Sequence, residues 1–93
     1  MKKYIIKREV PNVGALAPEE MRQVAVKSND ALSQLAPHVQ WLESFVAPNK
    51  TFCIYLAEDE SYIQRHAELS GIPANEVTEI SQIIDPTTAS SCS

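Results

Sequence analysis

Four side chains in this sequence have the chemistry for a functional site: His66, Glu43, Cys53 and Tyr55. His66 falls in the stretch EDESYIQRHAELSG, whose apolar spacing predicts a helix, at a position expected to face a sheet. A neutral imidazole in such a place could coordinate a transition metal or act as an acid or base near neutral pH. The alternative is a buried histidine that is hydrogen-bonded to a backbone carbonyl or a carboxylate.

Glu43 interrupts the apolar face of a predicted strand, between Trp41 and Phe45. A carboxylate in that position should be paired, protonated or metal-bound, because burying it alone is costly. An outer sheet face that is partly wet, or the rim of an interface, explains it as well. Cys53 and Tyr55 alternate on the next predicted strand, where cysteine is more often a small core residue than a ligand and tyrosine usually packs.

These residues predict two kinds of site. His66, Glu43 and Cys53 offer imidazole, carboxylate and thiolate, a set that suits Ni, Zn, Cu or Fe rather than Mg or Ca. His66, Glu43 and Tyr55 form instead a candidate catalytic set, in which His66 accepts the proton. The sequence carries no CxxC, HExxH, GxSxG, P-loop or dinucleotide-binding glycine pattern. Any site must therefore be assembled from different elements.

The order of the predicted elements is strand, helix, strand, strand, helix, strand. Pro18 opens the first helix and Pro37 stops it, while Asp59 caps the second helix and Gly71 follows its end. This β-α-β-β-α-β order predicts an α+β, ferredoxin-like fold, with a four-stranded antiparallel sheet and two helices on one face. The predicted strands cover residues 3–10, 39–47, 51–57 and 77–85.

A proline–asparagine pair at 48–49 forms the turn of a hairpin between the second and third strands. The length of this turn decides which residues share a face, because one step of slip moves every side chain to the other side of the sheet. A two-residue loop places Cys53 and Tyr55 on the face of Ser44. A loop one residue longer places them on the face of Glu43, and the sequence leaves both registers open.

The charge and hydropathy of the chain exclude some classes of function. Its net charge of −4 argues against sequence-independent binding to nucleic acid, which needs clustered basic residues. The basic residues near the N-terminus, Lys2, Lys3, Lys7 and Arg8, are expected to line a solvated strand edge. No run is long enough to cross a membrane or to act as a signal peptide, so no membrane association is expected.

Residues 1–89 are predicted to form one domain and 90–93 a flexible tail, since the final TTASSCS lacks apolar residues to bury. A disulfide between Cys53 and Cys92 is not expected, which favours a reducing cytoplasm. One sheet face of the predicted fold has no helix over it, and alternate strand residues would leave that face apolar. A homodimer that packs sheet against sheet would cover it.

Several segments together resemble a known family. They are KKYIIKREVP, QWLESFV, FCIYLAEDE, IQRHAELSGIPANEV and IIDPTTA, in this order across nearly the whole chain. They are similar to a family of small bacterial proteins that resembles a nickel-binding, ferredoxin-like protein forming a dimer. The resemblance implies a cytoplasmic homodimer that binds nickel. It does not place the metal ligands, so His66 with Glu43 or Cys53 remains the candidate set.

The alternative function is a small-molecule-binding protein or a cofactor-free enzyme. Dimeric ferredoxin-like α+β barrels resemble a group that includes cofactor-free monooxygenases and small isomerases, which hold a ligand between sheet and helices. His66, Glu43 and Tyr55 would be the acid–base set of such a site. A third possibility is a purely structural dimer whose site is the sheet face. A helix packed flush against the sheet, with no cavity, would exclude the small-molecule alternative.

Overall fold

The computed structural model describes residues 1–90 and folds them into one sheet with two helices. The strands are β1 (Lys2–Glu9), β2 (Val39–Val46), β3 (Lys50–Ala57) and β4 (Glu76–Glu79), and the helices are α1 (Pro18–Leu35) and α2 (Glu60–Ser70). Short 3-10 turns lie at Val13–Ala15 and Pro86–Ser90. The predicted β-α-β-β-α-β order is confirmed.

Both helices begin and end where the sequence predicts. Pro18 is the first residue of α1, and the backbone N–H before it donates to Glu20 Oε1 at 2.9 Å. The Asp59 side chain caps α2 by accepting from the backbone N–H of Ser61 at 2.8 Å. Gly71 follows α2 with a φ of 73°, in the left-handed region that glycine enters without strain.

The strands form an antiparallel sheet in the order β2-β3-β1-β4, as a ferredoxin-like fold requires. Both helices pack on the same face, where side chains of three strands and both helices form the core. The buried core residues are Tyr4, Ile6, Leu35, Val39, Cys53, Tyr55, Ala57 and Ile63. In the described part of the chain, the opposite face is not covered by a helix, and we call it the open face.

The β2–β3 hairpin adopts the register of a two-residue turn. The backbone N–H of Ala47 donates to the carbonyl of Lys50 at 2.9 Å, and Ser44 lies opposite Cys53. Cys53 therefore faces the helices together with Ser44. Glu43 lies on the open face, so the register that would have joined it to Cys53 is not the one observed.

An irregularity in β2 between Trp41 and Glu43 shifts the pairing by one residue. As a result Trp41 lies opposite Tyr55 and also faces the helices. Its indole N–H donates to the hydroxyl of Ser44 at 2.9 Å, so this hydrogen bond spans the irregularity in β2. The bulge thus keeps Trp41 and Tyr55 on the helix-facing side.

The last strand is shorter than predicted, covering 76–79 instead of 77–85. It pairs with β1 as far as Tyr4, and the backbone N–H of Ile80 adds a hydrogen bond to the carbonyl of Lys3 at 2.8 Å. Because β1 begins at Lys2, only one residue before Lys3, the chain after Ile80 soon runs past the end of its partner strand. Ile83 and Ile84, which fall within the predicted strand, are 65% and 70% exposed.

The predicted division into a domain at 1–89 and a tail at 90–93 stays a prediction. Residues 91–93, which include Cys92, lie outside the described residues. Cys53 is buried and its thiol is free. None of the helices within residues 1–90 has the length and apolar character needed to cross a membrane.

Candidate functional site

Four buried polar side chains meet between the sheet and the helices, each from a different element. Arg8 comes from β1, Ser28 from α1, Tyr55 from β3 and His66 from α2, and none is more than 4% exposed. We call these residues the buried polar cluster. Burial is costly for a polar group that lacks a hydrogen bond, so the partners of each residue decide what the cluster can do.

His66 is an imidazole held by one hydrogen bond. Its Nε2 lies 3.0 Å from the hydroxyl of Ser28, and its ring centre is 5.2 Å from that of Tyr55. Its Nδ1 is buried and has no hydrogen-bond partner among residues 1–90. Burial, assisted by the positive charge of Arg8, lowers the pKa of His66 to about 4. The imidazole is therefore uncharged at neutral pH.

Arg8 is a buried cation whose partners are uncharged. Its guanidinium donates to the carbonyls of Ile72 and Pro73, each at 3.2 Å, and to the hydroxyl of Tyr55 at 3.4 Å. The guanidinium carbon lies 5.8 Å from the centre of the Tyr55 ring. None of the ion pairs formed among the described residues includes Arg8. The site therefore carries a positive charge that the described chain does not neutralise.

Tyr55 is a protonated phenol that links the cluster to the sheet. Burial raises the pKa of Tyr55, and the neighbouring positive charge of Arg8 opposes that rise without reversing it. Its oxygen accepts from Arg8 while its own proton is retained, and Ser28 is a second side chain with which the hydroxyl interacts.

A cavity of about 310 Å³ lies beside the cluster, between α1 and the helix-facing side of the sheet. Its wall is mostly apolar, and Arg8, Ser28 and Tyr55 are among the polar residues that line it. His66 does not line the cavity, although its partner Ser28 does. The main apolar wall is formed by Val10, Val13, Leu16, Met21, Val24 and Ala25. Helix α1 thus does not pack flush against the sheet.

The structure brings together some of the predicted site residues and separates others. Tyr55 and His66 are in ring contact, and Cys53 lines the cavity at 5% exposed. The thiol of Cys53 lies 3.7 Å from the hydroxyl of Thr51. Glu43 is exposed on the open face. The predicted sets that combine Glu43 with His66 are therefore not assembled within one chain, because the two-residue turn sends Glu43 to the other side of the sheet.

The donor atoms near His66 do not form a metal centre of three or more ligands. Within residues 1–90, no group of three His, Cys, Asp or Glu side chains is placed to hold a metal ion. The charge of Arg8 also opposes a cation at His66, as it opposes a proton. The other histidine is at the surface, where His38 Nδ1 lies 2.5 Å from Glu58 Oε2 and the ring stacks on Tyr62. His38 is thus the histidine whose surroundings suit a cation.

Reasoning from the sequence missed Arg8 as a site residue. The expectation that it lines a solvated strand edge is wrong, because β1 lies between β3 and β4 and Arg8 is 2% exposed. The signal was present in the alternation of Tyr4, Ile6 and Arg8 along β1, which places the arginine on the buried face. A charged residue in phase with core residues indicates a buried charge.

Comparisons with known proteins agree with the fold described above. A protein-family model described as "Nickel responsive protein SCO4226-like" matches residues 4–80. The crystal structure of SCO4226 from Streptomyces coelicolor A3(2) matches with a TM-score of 0.74 and 13% sequence identity, over 88% of this chain and 99% of that chain. At that identity the structural match shows the fold alone. No curated protein matches the chain.

Proposed function

We propose that this chain, which belongs to the family of SCO4226-like nickel responsive proteins, is a binding protein whose ligand occupies the cavity beside the buried polar cluster. The observation that carries this proposal is the cavity itself, about 310 Å³ between α1 and the sheet. Small-molecule sites are concave and mostly apolar, with a few placed polar groups, and they start at about 300 Å³. The cavity meets each of these conditions.

The placement of the ionisable groups supports binding over catalysis. A cofactor-free monooxygenase or isomerase would need its acid and base beside one substrate. His66 has a pKa of about 4 and is separated from the cavity by Ser28, while Glu43 lies on the open face. Tyr55 does line the cavity, but burial keeps its hydroxyl protonated. These groups can orient a ligand, and they do not form an acid–base pair around it.

Isothermal titration calorimetry with 1-octanol tests this proposal with a matched pair of variants. Ala25 lines the cavity, whereas the next residue, Val26, is 38% exposed and is not part of the wall. Ala25→Phe should fill the cavity and abolish binding, while Val26→Phe should bind 1-octanol like the wild type. Equal binding by Ala25→Phe, or a wild type that binds neither 1-octanol nor its carboxylate analogue octanoate, would contradict the proposal.

A second candidate function is nickel binding, which the words "nickel responsive" in the family description favour, and we propose that a homodimer carries it out. His38 and Glu58 offer an exposed imidazole and a carboxylate in contact, a donor set that suits nickel. The interior is less suitable because Arg8 places a positive charge beside His66. One imidazole–carboxylate pair leaves coordination positions open, so a second copy of the chain would supply further ligands.

Calorimetric titration of Ni(II) into the wild type and two histidine variants shows which histidine binds the metal. The wild type and His66→Ala should release the same heat, and His38→Ala should release none above dilution, because the surface pair is broken only in that variant. Loss of heat in His66→Ala with retention in His38→Ala would assign the metal to the interior instead. No heat with the wild type would reject nickel binding by this chain.

The homodimer is proposed to form through the open face. Phe45 is 55% exposed there, beside the half-buried Phe52, Ile54 and Leu56 of β3. An apolar patch of this kind usually marks an interface. Phe45→Glu should convert a sedimenting dimer into a monomer, while Leu69→Glu, at a 47% exposed site on α2, should leave the dimer intact. A wild type that sediments as a monomer would contradict the dimer.

A further inference from the structure

We infer that the ligand of the cavity carries a carboxylate, and that Arg8 binds it. This inference rests on the proposed function, in which the cavity holds a small molecule. It adds the chemical class of that molecule, an apolar body that ends in one negative charge.

The first observation is that the charge of Arg8 is buried and uncompensated. Its side chain is 2% exposed, and no acidic residue among residues 1–90 forms an ion pair with it. Buried arginines are almost always paired, because an isolated charge loses its hydration without gaining a counter-charge. A ligand carboxylate supplies the counter-charge that the described residues do not.

The second observation is that the guanidinium is held in place but not saturated. The carbonyls of Ile72 and Pro73 and the oxygen of Tyr55 accept from it, at 3.2, 3.2 and 3.4 Å. A guanidinium has more N–H groups than these bonds use, and its planar fork matches the two oxygens of a carboxylate. Arg8 is among the residues that line the cavity, so a ligand there would lie against its side chain.

The neighbouring groups also favour an anion over a cation. Tyr55 keeps its proton, so its hydroxyl can donate a hydrogen bond to the same carboxylate. His66 is uncharged and adds no negative charge. Ser28, whose hydroxyl is 3.0 Å from His66 Nε2, is a further polar group on the wall. No carboxylate side chain lines the cavity within the described residues.

The remaining wall selects for an apolar body and against a phosphate. Beyond the buried polar cluster, the wall is formed mainly by aliphatic side chains of α1 and of the segment before it, such as Val13 and Val24. A phosphate would bring three strongly hydrated oxygens and up to two charges to a single arginine. A carboxylate with one charge and two oxygens fits the donors present, and about 310 Å³ suits a short aliphatic or aromatic acid.

Calorimetry with three matched probes tests the inference: octanoate, 1-octanol and octylamine, which share a chain and differ in head-group charge. Octanoate should bind about tenfold to a hundredfold more tightly than 1-octanol, the range expected for charge-assisted hydrogen bonds. Octylamine should not bind measurably. Equal binding of octanoate and 1-octanol, or tighter binding of 1-octanol, would overturn the inference and leave the proposed function standing. Binding of none of the three would overturn the proposed function, and the inference with it.

Two variants test whether the charge of Arg8 is responsible for the tighter binding of octanoate. Arg8→Met should reduce the affinity for octanoate to that for 1-octanol or below, because it removes the guanidinium and leaves the carboxylate without a counter-charge. Lys7→Met is the control, since Lys7 is the adjacent cation in β1 and pairs with Glu9 away from the cavity. Octanoate binding that falls equally in both variants would overturn the assignment to Arg8. If Arg8→Met does not fold, the comparison of the three probes on the wild type decides the question alone.

Discussion

Lowering the pH from about 7.5 to about 5.0 should cost the folded protein about 2 kcal/mol through His66 alone. In the folded state the pKa of His66 is lowered from 6.5 to about 4, because the ring is buried and Arg8 is near. The unfolded chain therefore takes up the proton first as the pH falls. Stability that is present above pH 6.5 is lost progressively between pH 6.5 and about 4.

The magnitude follows from the pKa difference. Each pH unit inside this window costs about 1.4 kcal/mol, and pH 5.0 lies about 1.5 units below the unfolded pKa, which gives about 2 kcal/mol. Urea unfolding followed by the fluorescence of Trp41, the single tryptophan, measures the free energy of unfolding at both pH values. The groups that face the imidazole are Arg8, Ser28 and Tyr55, and between these two pH values His66 gains its proton in the unfolded chain while it stays uncharged in the folded one.

Matched variants separate the contribution of His66 to the pH dependence of stability from that of the other titrating groups. His66→Gln keeps a polar side chain beside Ser28 and should lose about 2 kcal/mol less than the wild type between the two pH values. His38→Gln, at a 43% exposed side chain, should retain the wild-type difference. If His66→Gln and the wild type lose the same free energy, burial of a neutral imidazole at His66 does not account for the pH dependence.

Four further substitutions test the local structure by urea unfolding at neutral pH. Asp59→Ala removes the cap of α2 and should cost about 1 kcal/mol. Gly71→Ala should cost about 1 kcal/mol through its φ of 73° alone, because no atom lies near the added carbon. Gly14→Ala should cost more, about 1–3 kcal/mol, since the added carbon would lie 2.8 Å from Pro48 Cα; a smaller cost than that of Gly71→Ala would contradict this. Ile63→Ala, at a fully buried site, should cost about 2–5 kcal/mol.

The fold could be predicted because the residues that start and end its helices act locally. Pro18 at the start of α1, Asp59 before α2 and Gly71 after it act through their own backbone chemistry, whatever surrounds them. The length of β4 could not be predicted in the same way. The last residues of the predicted strand lie beyond the start of β1 at Lys2, and the position of that start is a property of the partner strand and not of residues 77–85.

The site was harder to predict because it depends on side-chain burial and strand register. The number of residues in the turn at 48–49 decides whether Cys53 shares a sheet face with Ser44 or with Glu43. The observed turn of two residues places Cys53 and not Glu43 towards the helices, and the sequence was compatible with either length. The charge of Arg8 suggested solvent, although its phase with Tyr4 suggested the core. The cavity arises from how α1 lies over the sheet, and no local pattern encodes that distance.

The most direct test of ligand binding in the cavity is to locate a bound molecule within the protein. Isotope-filtered NMR can record contacts between the protons of 1-octanol and the methyl groups of the labelled protein. We expect contacts to the cavity wall, at Val13, Met21 and Val24, that disappear in Ala25→Phe. Contacts confined to side chains of the open face, such as Ile54, would contradict the claim that the cavity is the binding site.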